Sequence, residues 1–321
     1  MEGPGKQKAG IMFDVLIIGG GPAGLNAALM LGRSRRSVAV IDAGDPRNAA
    51  AEGVHGFLTR DGVSPAELGR LGREEVARYG VEVLKATAVA AARTGSGFTV
   101  TLDDGRTLDG RRMLVTTGVR DELPDIPGLG AHWGRDVVHC PYCHGWEVRD
   151  RSIGVLASSA FATHHALMFR QLSPDVTLFV DSAPQPSGVE LQQLQAHGIT
   201  VVQGRVTEVL AEGGHLSGVM LDDGRSVPLQ ALAVVPRSVA RSAVLDGLGI
   251  ATVEGPLGMG RIVEADATGL TVVPGLWVAG NIADLGSTVL GSAAAGAKAG
   301  AFINMDLVTE EATVVEPAAA R

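Results

Sequence analysis

The hydrophobic pattern of this chain begins with a short unbroken apolar run, Val15-Leu16-Ile17-Ile18, that passes straight into glycine. A run of this length with no polar alternation predicts a strand buried on both faces, as in a parallel sheet. Leu25–Leu31 follows as an apolar helix, and Ser37–Ile41 repeats the buried-strand pattern. Between the first strand and the helix lies Gly19-Gly20-Gly21-Pro22-Ala23-Gly24. Gly19 permits the tight turn, Gly21 lets the backbone approach a pyrophosphate, and Gly24 lets helix and strand close on each other. The helix N-terminus then presents free N–H groups to phosphate. Asp42 ends the second strand about 20 residues on, where an acid accepts from a ribose hydroxyl. Strand, glycine turn, helix and terminal acid together predict a dinucleotide site.

Further along, Ser64–Tyr79 has helical amphipathicity, with Ser64 as N-cap and Pro65 in the first turn. Val81–Ala92 and Phe98–Leu102 read as strands, followed by the hairpin turn Asp103-Asp104-Gly105-Arg106. Met113–Thr117 is a short strand running into Gly118, and Pro124, Pro127, Gly128 and Gly130 mark a domain crossing. A second strand–helix–strand unit follows: Ser152–Leu156, Ala160–Gln171 and Val176–Val180. Ala157, Ser159 and Ala162 fall where Gly19, Gly21 and Gly24 stood, and bulky Phe161 sits in the same turn. A Cβ at the second position obstructs a pyrophosphate, and no arginine follows Asp181-Ser182 to hold a 2′-phosphate. A nicotinamide site at this second unit is therefore expected to be lost; the other reading is a degenerate site that other contacts rescue.

The chain crosses back at Ala243–Ile250, and Gly275–Asp284 reads as a buried strand entering a polar loop. Ser287–Leu307 predicts a long helix of small residues, which by itself means close packing. The expected fold is α/β, with two Rossmann-like three-layer dinucleotide-binding domains, the second inserted into the first. Residues 11–121 and 246–310 would form the first domain and 122–245 the insert, with 1–10 and 311–321 disordered.

Charge and composition narrow the partners. A formal net charge of −8 argues against nucleic acid or an anionic membrane as the main partner. No run reaches the roughly 18 apolar residues of a membrane span, and none resembles an export signal. The chain has two cysteines, both in His139-Cys140-Pro141-Tyr142-Cys143-His144-Gly145. With none spare for a disulfide framework, they suit a reducing cytoplasm.

Two thiols at this spacing pass between dithiol and disulfide with little backbone movement. Three other readings stand beside a redox role. Zinc needs about four ligands, and no second cysteine pair exists here; no metal is expected. A structural disulfide closing so short a loop would constrain the unfolded chain little. The same four letters occur in glutaredoxins, but near the start of a small domain and not behind a nucleotide fingerprint.

The glycine fingerprint, the CxxC turn, the second unit and the closing Gly275–Asp284 segment together resemble low-molecular-weight thioredoxin reductases, over roughly Asp14 to Leu307. The resemblance implies FAD in the first domain, with Gly19, Gly21, Pro22, Ala23, Gly24 and Asp42 at its pyrophosphate and ribose. It also implies Val89 at the adenine, Asn281 at the ribityl chain, and homodimer formation. Arg47, Asn48, His55, Gly118, Gly280, Thr288 and Val289 complete the candidate FAD contacts; on composition alone His55 reads as a loop histidine. Cys143 would face the flavin and Cys140 the external partner.

The departures are as informative. The family's second set of glycines is here Ala157, Ser158 and Ser159, so NADPH is not expected. The acid after the second cysteine is His144, and the closing aspartate is Asn281. The final Arg-Gln pair is Thr288-Val289, which leaves only backbone contacts to the flavin there. This set, with the Cys140–Asp150 segment, looks like the dithiol oxidases of natural-product pathways, of the gliotoxin, romidepsin and above all holomycin type. The implied partners are a small-molecule dithiol and O2. A substrate thiolate would attack Cys140 of the disulfide, the second thiol would release the cyclic product, and the electrons would pass through FAD to oxygen, giving hydrogen peroxide. His144 is the candidate acid–base group, with His139 as the substitute; either histidine could instead merely cap the turn. The competing enzyme reading is a thioredoxin reductase fed by a donor such as ferredoxin. A non-enzymatic regulator is disfavoured by the intact CxxC.

Overall fold

The computed structural model describes residues 12–158, 161–181 and 184–313. The chain opens with β1 (Met12–Ile18), α1 (Pro22–Arg33), β2 (Val38–Asp42), α2 (Pro65–Ala77), β3 (Glu82–Lys85), β4 (Ala88–Thr94), β5 (Gly97–Leu102) and β6 (Thr107–Val115). Their sheet has the order β3-β2-β1-β6-β5-β4. Strands β3, β2, β1 and β6 are parallel, and the β4–β5 hairpin adds antiparallel to the first half of β6. Alternate residues of β1 feed two cores: Leu16 and Ile18 on one face, Val15 and Ile17 on the other. Burial on both faces is what the unbroken apolar run required.

β7 (Val119–Glu122) leads out of this unit. The next elements are β8 (Val137–Val138), α3 (Pro141–His144), β9 (Ile153–Leu156), α4 (Ala162–Arg170), β10 (Val176–Val180), α5 (Gly188–Ala196) and β11 (Thr200–Gln203). β12 (Val206–Glu212), β13 (His215–Leu221), β14 (Ser226–Pro228) and β15 (Ala231–Val234) follow. A second parallel sheet has the order β11-β10-β9-β15-β8, covered on one face by the antiparallel sheet β12-β13-β14. β16 (Arg237–Ala240) returns antiparallel to β7, so two paired strands join the units. β17 (Thr252–Glu254) and β18 (Gly260–Val263) extend that pair into a four-stranded sheet. β19 (Leu276–Val278) then rejoins the first sheet beside the second half of β6, and α6 (Val289–Thr313) closes the chain. The fold is α/β with two Rossmann-like dinucleotide-binding units, one inserted in the other. Among the described residues no helix is long and apolar enough to cross a membrane.

Several elements differ from the sequence expectation. Val81–Ala92 is two strands: the chain breaks at Ala86, whose N–H donates to the Asp42 carbonyl, and turns from parallel to antiparallel pairing. The strand at Met113 starts six residues earlier, because β6 pairs β5 through its polar half and β19 through its apolar half. α6 begins at Val289, with the Thr288 hydroxyl accepting the Gly291 N–H. Glu311–Thr313, expected to be disordered, continue this helix. Glu310 and Glu311 are held by ion pairs to Arg36, Arg111 and Arg112. Residues 1–10 and 314–321, and the expected positions of Ser159, Ala160 and Ser182, lie outside the described residues.

Candidate redox and cofactor site

The glycine turn after β1 is built by near-contacts that only glycine permits. Gly19 has φ +106°, and a Cβ there would sit 2.6 Å from the Thr116 carbonyl oxygen. A Cβ on Gly24 would lie 1.9 Å from the Gly19 carbonyl oxygen. The Thr116 hydroxyl locks the turn by donating toward the carbonyls of Ile18 (3.0 Å) and Gly19 (2.8 Å). Gly20 is as constrained: its Cβ would collide with the Asp42 carboxylate at 2.6 Å. The spacing argument missed both Gly20 and Thr116. Gly20's role depends on the β1–β2 register, which fixes where Asp42 stands. Gly21, by contrast, has no atom within 4 Å of where its Cβ would be. Its side faces open space at the N-terminus of α1, which Pro22 opens.

Around this opening the other candidates take up distinct places. Ala23 is buried beneath Gly280 (φ +80°), whose Cβ would be 3.1 Å from that of Ala23. Gly118 (φ +67°) also faces open space, and its carbonyl accepts the Arg241 N–H. Asn281 turns its amide onto the carbonyls of Asp284, Leu285 and Ser287, fixing the loop into α6. Thr288 and Val289 form the start of α6, where helix N–H groups lack intrahelical partners. Val89 lies exposed at the irregularity in β4, and Asn48 is half-buried in the loop after β2. An elongated, phosphate-bearing cofactor fits this arrangement: open glycine faces, a helix N-terminus beside them and an acid at the strand end.

The redox turn hangs from β8, at the edge of the second parallel sheet. Cys140 is in extended conformation at the start of α3, and its carbonyl accepts the N–H groups of Cys143 (3.2 Å) and His144 (3.0 Å). The sulfurs are 2.8 Å apart, with the Cys143 thiol donating to Cys140. That hydrogen bond is the first reason Cys140 drops to about 6; the N–H groups of Cys143 and Tyr142 and the charge of Arg47 add to it against the opposing effect of burial. Cys143 is pushed upward, first by the bond it donates to Cys140 and then by burial. Gly145 must be glycine, because a Cβ would lie 2.3 Å from both Leu172 and the Pro141 carbonyl oxygen.

Histidines surround the pair. Both ring nitrogens of His144 are buried with no hydrogen-bond partner. Burial lowers its pKa, Glu147 raises it, and His55 lowers it further. His139 is lowered to about 4 by burial and by Arg47 and His165. His165, buried on α4, donates from Nε2 to the His139 carbonyl at 2.9 Å and is itself lowered to about 4 by burial. It was not among the sequence candidates, and its anchoring role has no sequence signal beyond a histidine on an apolar helix face.

Two of the candidate cofactor contacts, Arg47 and His55, are engaged by carboxylates of the protein. Arg47 makes two 2.7 Å bonds to Asp121, and its guanidinium also reaches Ser238 at 3.3 Å. Asp121 and Ser238 are register partners on the paired strands β7 and β16. His55 stands 3.4 Å from Glu147, which follows Cys143 in the sequence. Among the described residues, no three His, Cys, Asp or Glu side chains are placed to share a metal ion.

The second unit's turn is differently filled. Ala157 is buried, and the Asp181 carboxylate is engaged by the Val206 N–H at 2.8 Å. A small cavity of about 60 Å³ is lined by Ala157, Ala162 and Thr163 together with Pro184, Gln185 and Glu190. Gln185 is tied to Gln203 by reciprocal amide bonds of 2.9 and 3.0 Å.

Known proteins share this architecture. The profile of the pyridine nucleotide-disulphide oxidoreductases matches residues 13–300. The crystal structure of HlmI superposes with a TM-score of 0.87 and 41% identity, covering 95% of this chain and 96% of that one. The thioredoxin reductase sirT of Leptosphaeria maculans is 31% identical over 91% of this chain and 94% of its own. The thioredoxin reductase tcpT of Claviceps purpurea is 34% identical over 74% and 78%. With its glycine cradle, paired thiols and inserted second unit, the chain is thus a low-molecular-weight thioredoxin reductase-like flavoprotein, a member of the pyridine nucleotide-disulphide oxidoreductase family.

Proposed function

We propose that this protein is an FAD-dependent dithiol oxidase that closes an intramolecular disulfide in a small natural-product dithiol of the holomycin or gliotoxin kind, with O2 as acceptor. Gly19, Gly20, Gly21, Gly24 and Asp42 would hold the FAD pyrophosphate and ribose, and the start of α6 would meet the flavin. Bound FAD supplies a two-electron acceptor for the cysteine pair and a route from there to oxygen.

The chain's own residues do the thiol chemistry. Cys140, the sulfur that the resemblance turns toward the external partner, is the one a substrate thiolate attacks. His144, one residue after Cys143 and with two unpartnered ring nitrogens, takes the proton of the incoming thiol. Cys143 leaves with the electron pair. An intramolecular second thiol then displaces Cys140 faster than a separate molecule could, because its effective concentration is high.

The observation that carries the direction of flow is the second cradle. Ala157 is buried where a glycine would admit a pyrophosphate, and Asp181 is already bonded within the fold. The resemblance of Cys140–Asp150 to dithiol oxidases agrees with it. A reductase reading, with a donor such as ferredoxin, is favoured by what the two fungal relatives are called.

Anaerobic mixing tests the reading. A cyclisable dithiol should bleach the flavin rapidly, and stoichiometric NADPH or NADH should do so poorly. Rapid bleaching by NADPH would restore an ordinary reductase.

A further inference from the structure

The first unit reaches the redox turn through a closed loop. Val54 and Val63 pin its neck: the Val54 N–H donates to the Val63 carbonyl and the Gly62 N–H to the Val54 carbonyl, each at 2.8 Å. Within the loop, the Asp61 carboxylate accepts the Gly56 N–H at 2.9 Å. The His55 ring stands between two carboxylates. Its Nδ1 is 3.5 Å from Asp61 and its Nε2 is 3.4 Å from Glu147. Glu147 belongs to the CxxC turn, three residues after His144.

His144 needs such a neighbour. A buried imidazole with no hydrogen-bond partner resists protonation, because the imidazolium loses its hydration. Glu147 follows His144 by three residues in the turn that continues α3, and the charges that act on the imidazole are those of Glu147, His55 and His139, with Cys143 the preceding residue. Of these, Glu147 carries the negative charge that favours the imidazolium. The other two are histidines, whose charge would oppose it.

We propose that Glu147, held in place by His55 from the first unit, is the positioning residue that enables His144 to accept the substrate's thiol proton. The inference rests on the reading that a substrate thiol attacks Cys140. In the step, R–SH gives its proton to a ring nitrogen of His144, leaving R–S⁻ and an imidazolium. The thiolate sulfur bonds to Cys140 Sγ while the Cys140–Cys143 bond breaks, and Cys143 departs as the thiolate. The imidazolium returns its proton to that thiolate, so no net charge or proton is lost. Glu147 exchanges no atom; its charge stabilises the imidazolium while it exists. His55 and Asp61 keep the carboxylate from swinging into solvent.

The test follows disulfide opening itself, apart from oxidase turnover. Oxidised holoenzyme is mixed anaerobically with dithiothreitol, quenched in acid, alkylated and weighed by mass spectrometry across a range of pH. Glu147→Gln should open roughly 10-fold more slowly than wild type near neutral pH. The gap should close at alkaline pH, where the reagent is already thiolate. Glu147→Asp should recover part of the rate. His55→Ala should follow Glu147→Gln, while His55→Gln, which can still donate to Glu147, should stay near wild type. With its side chain 40% exposed, Glu147 can be changed without threatening the fold. Equal slowing at every pH would mean a merely structural role and overturn the proposal, as would variants that match wild type throughout. If dithiothreitol fails to open the wild-type disulfide, the thiol-exchange reading itself falls.

Discussion

A thiol at the head of a turn, with two backbone N–H groups bonding its sulfur and a second thiol donating to it, ionises more readily than its partner three residues on. That asymmetry in the dithiol is directly measurable. In the reduced protein, alkylation of Cys140 by iodoacetamide should rise through a pKa near 6, while Cys143 stays unreactive until much higher pH. Cys140→Ser removes both the hydrogen bond and the charge that raise Cys143, so Cys143 should then titrate lower; faster alkylation of Cys143 than Cys140 in wild type would contradict the asymmetry. Gly21 gives a second residue-scale test. Nothing in the protein occupies the space its Cβ would enter, and its backbone (φ −77°, ψ −173°) suits any residue. Gly21→Val should therefore fold with an unchanged circular dichroism spectrum yet purify without the yellow of bound flavin. Yellow Gly21→Val protein would refute the cradle. The turn-forming roles of Gly19 and Gly24 were legible from spacing. Those of Gly20, Thr116, His55 and Arg47 were not, because each depends on which distant side chain the fold brings opposite.

At the scale of elements, α1 and α6 pack backbone to backbone. A Cβ on Gly296 would lie 1.9 Å from the Ala23 carbonyl oxygen, and one on Gly300 would lie 2.9 Å from that of Ala27. Intrinsic propensity says Gly296→Ala should stabilise a helix interior by about 1 kcal/mol. The contact predicts the opposite sign, a loss of about 1–3 kcal/mol in urea unfolding, with weaker FAD retention as α6 is levered off α1. A stabilised Gly296→Ala would show that the helices are not so tightly seated. The sequence foretold a small-residue helix but not its partner. Strands such as β1, β2, β9 and β10 were legible because both faces are buried, so their apolar runs are unbroken. β12 to β14 and β16 to β18 escaped notice. They are short or half-exposed, and carry residues such as Glu208, Glu212 and Arg237 that dilute the pattern. The α6 end was misjudged because its last turn is polar, and only the three-dimensional structure shows Arg36, Arg111 and Arg112 waiting for those acids.

For the whole molecule, the question is whether the insert must move. Its CxxC turn already touches the first unit through His55–Glu147, and the linker strands are clasped by Arg47, which joins the Asp121–Ser238 pair to the loop after β2. A reductase must swing its inserted unit to admit a nucleotide, whereas an oxidase can work in one arrangement. These ties, the glycine-less second turn and His144 in the place of the family's acid all favour electrons entering from a dithiol. An oxygen electrode reads that direction most directly. With a cyclisable dithiol, the holoenzyme should consume one O2 and form one H2O2 per disulfide closed, with monothiols far slower and reduced thioredoxin ineffective. No uptake with the dithiol, together with thioredoxin reduction by chemically reduced enzyme, would contradict the oxidase and establish the reverse flow.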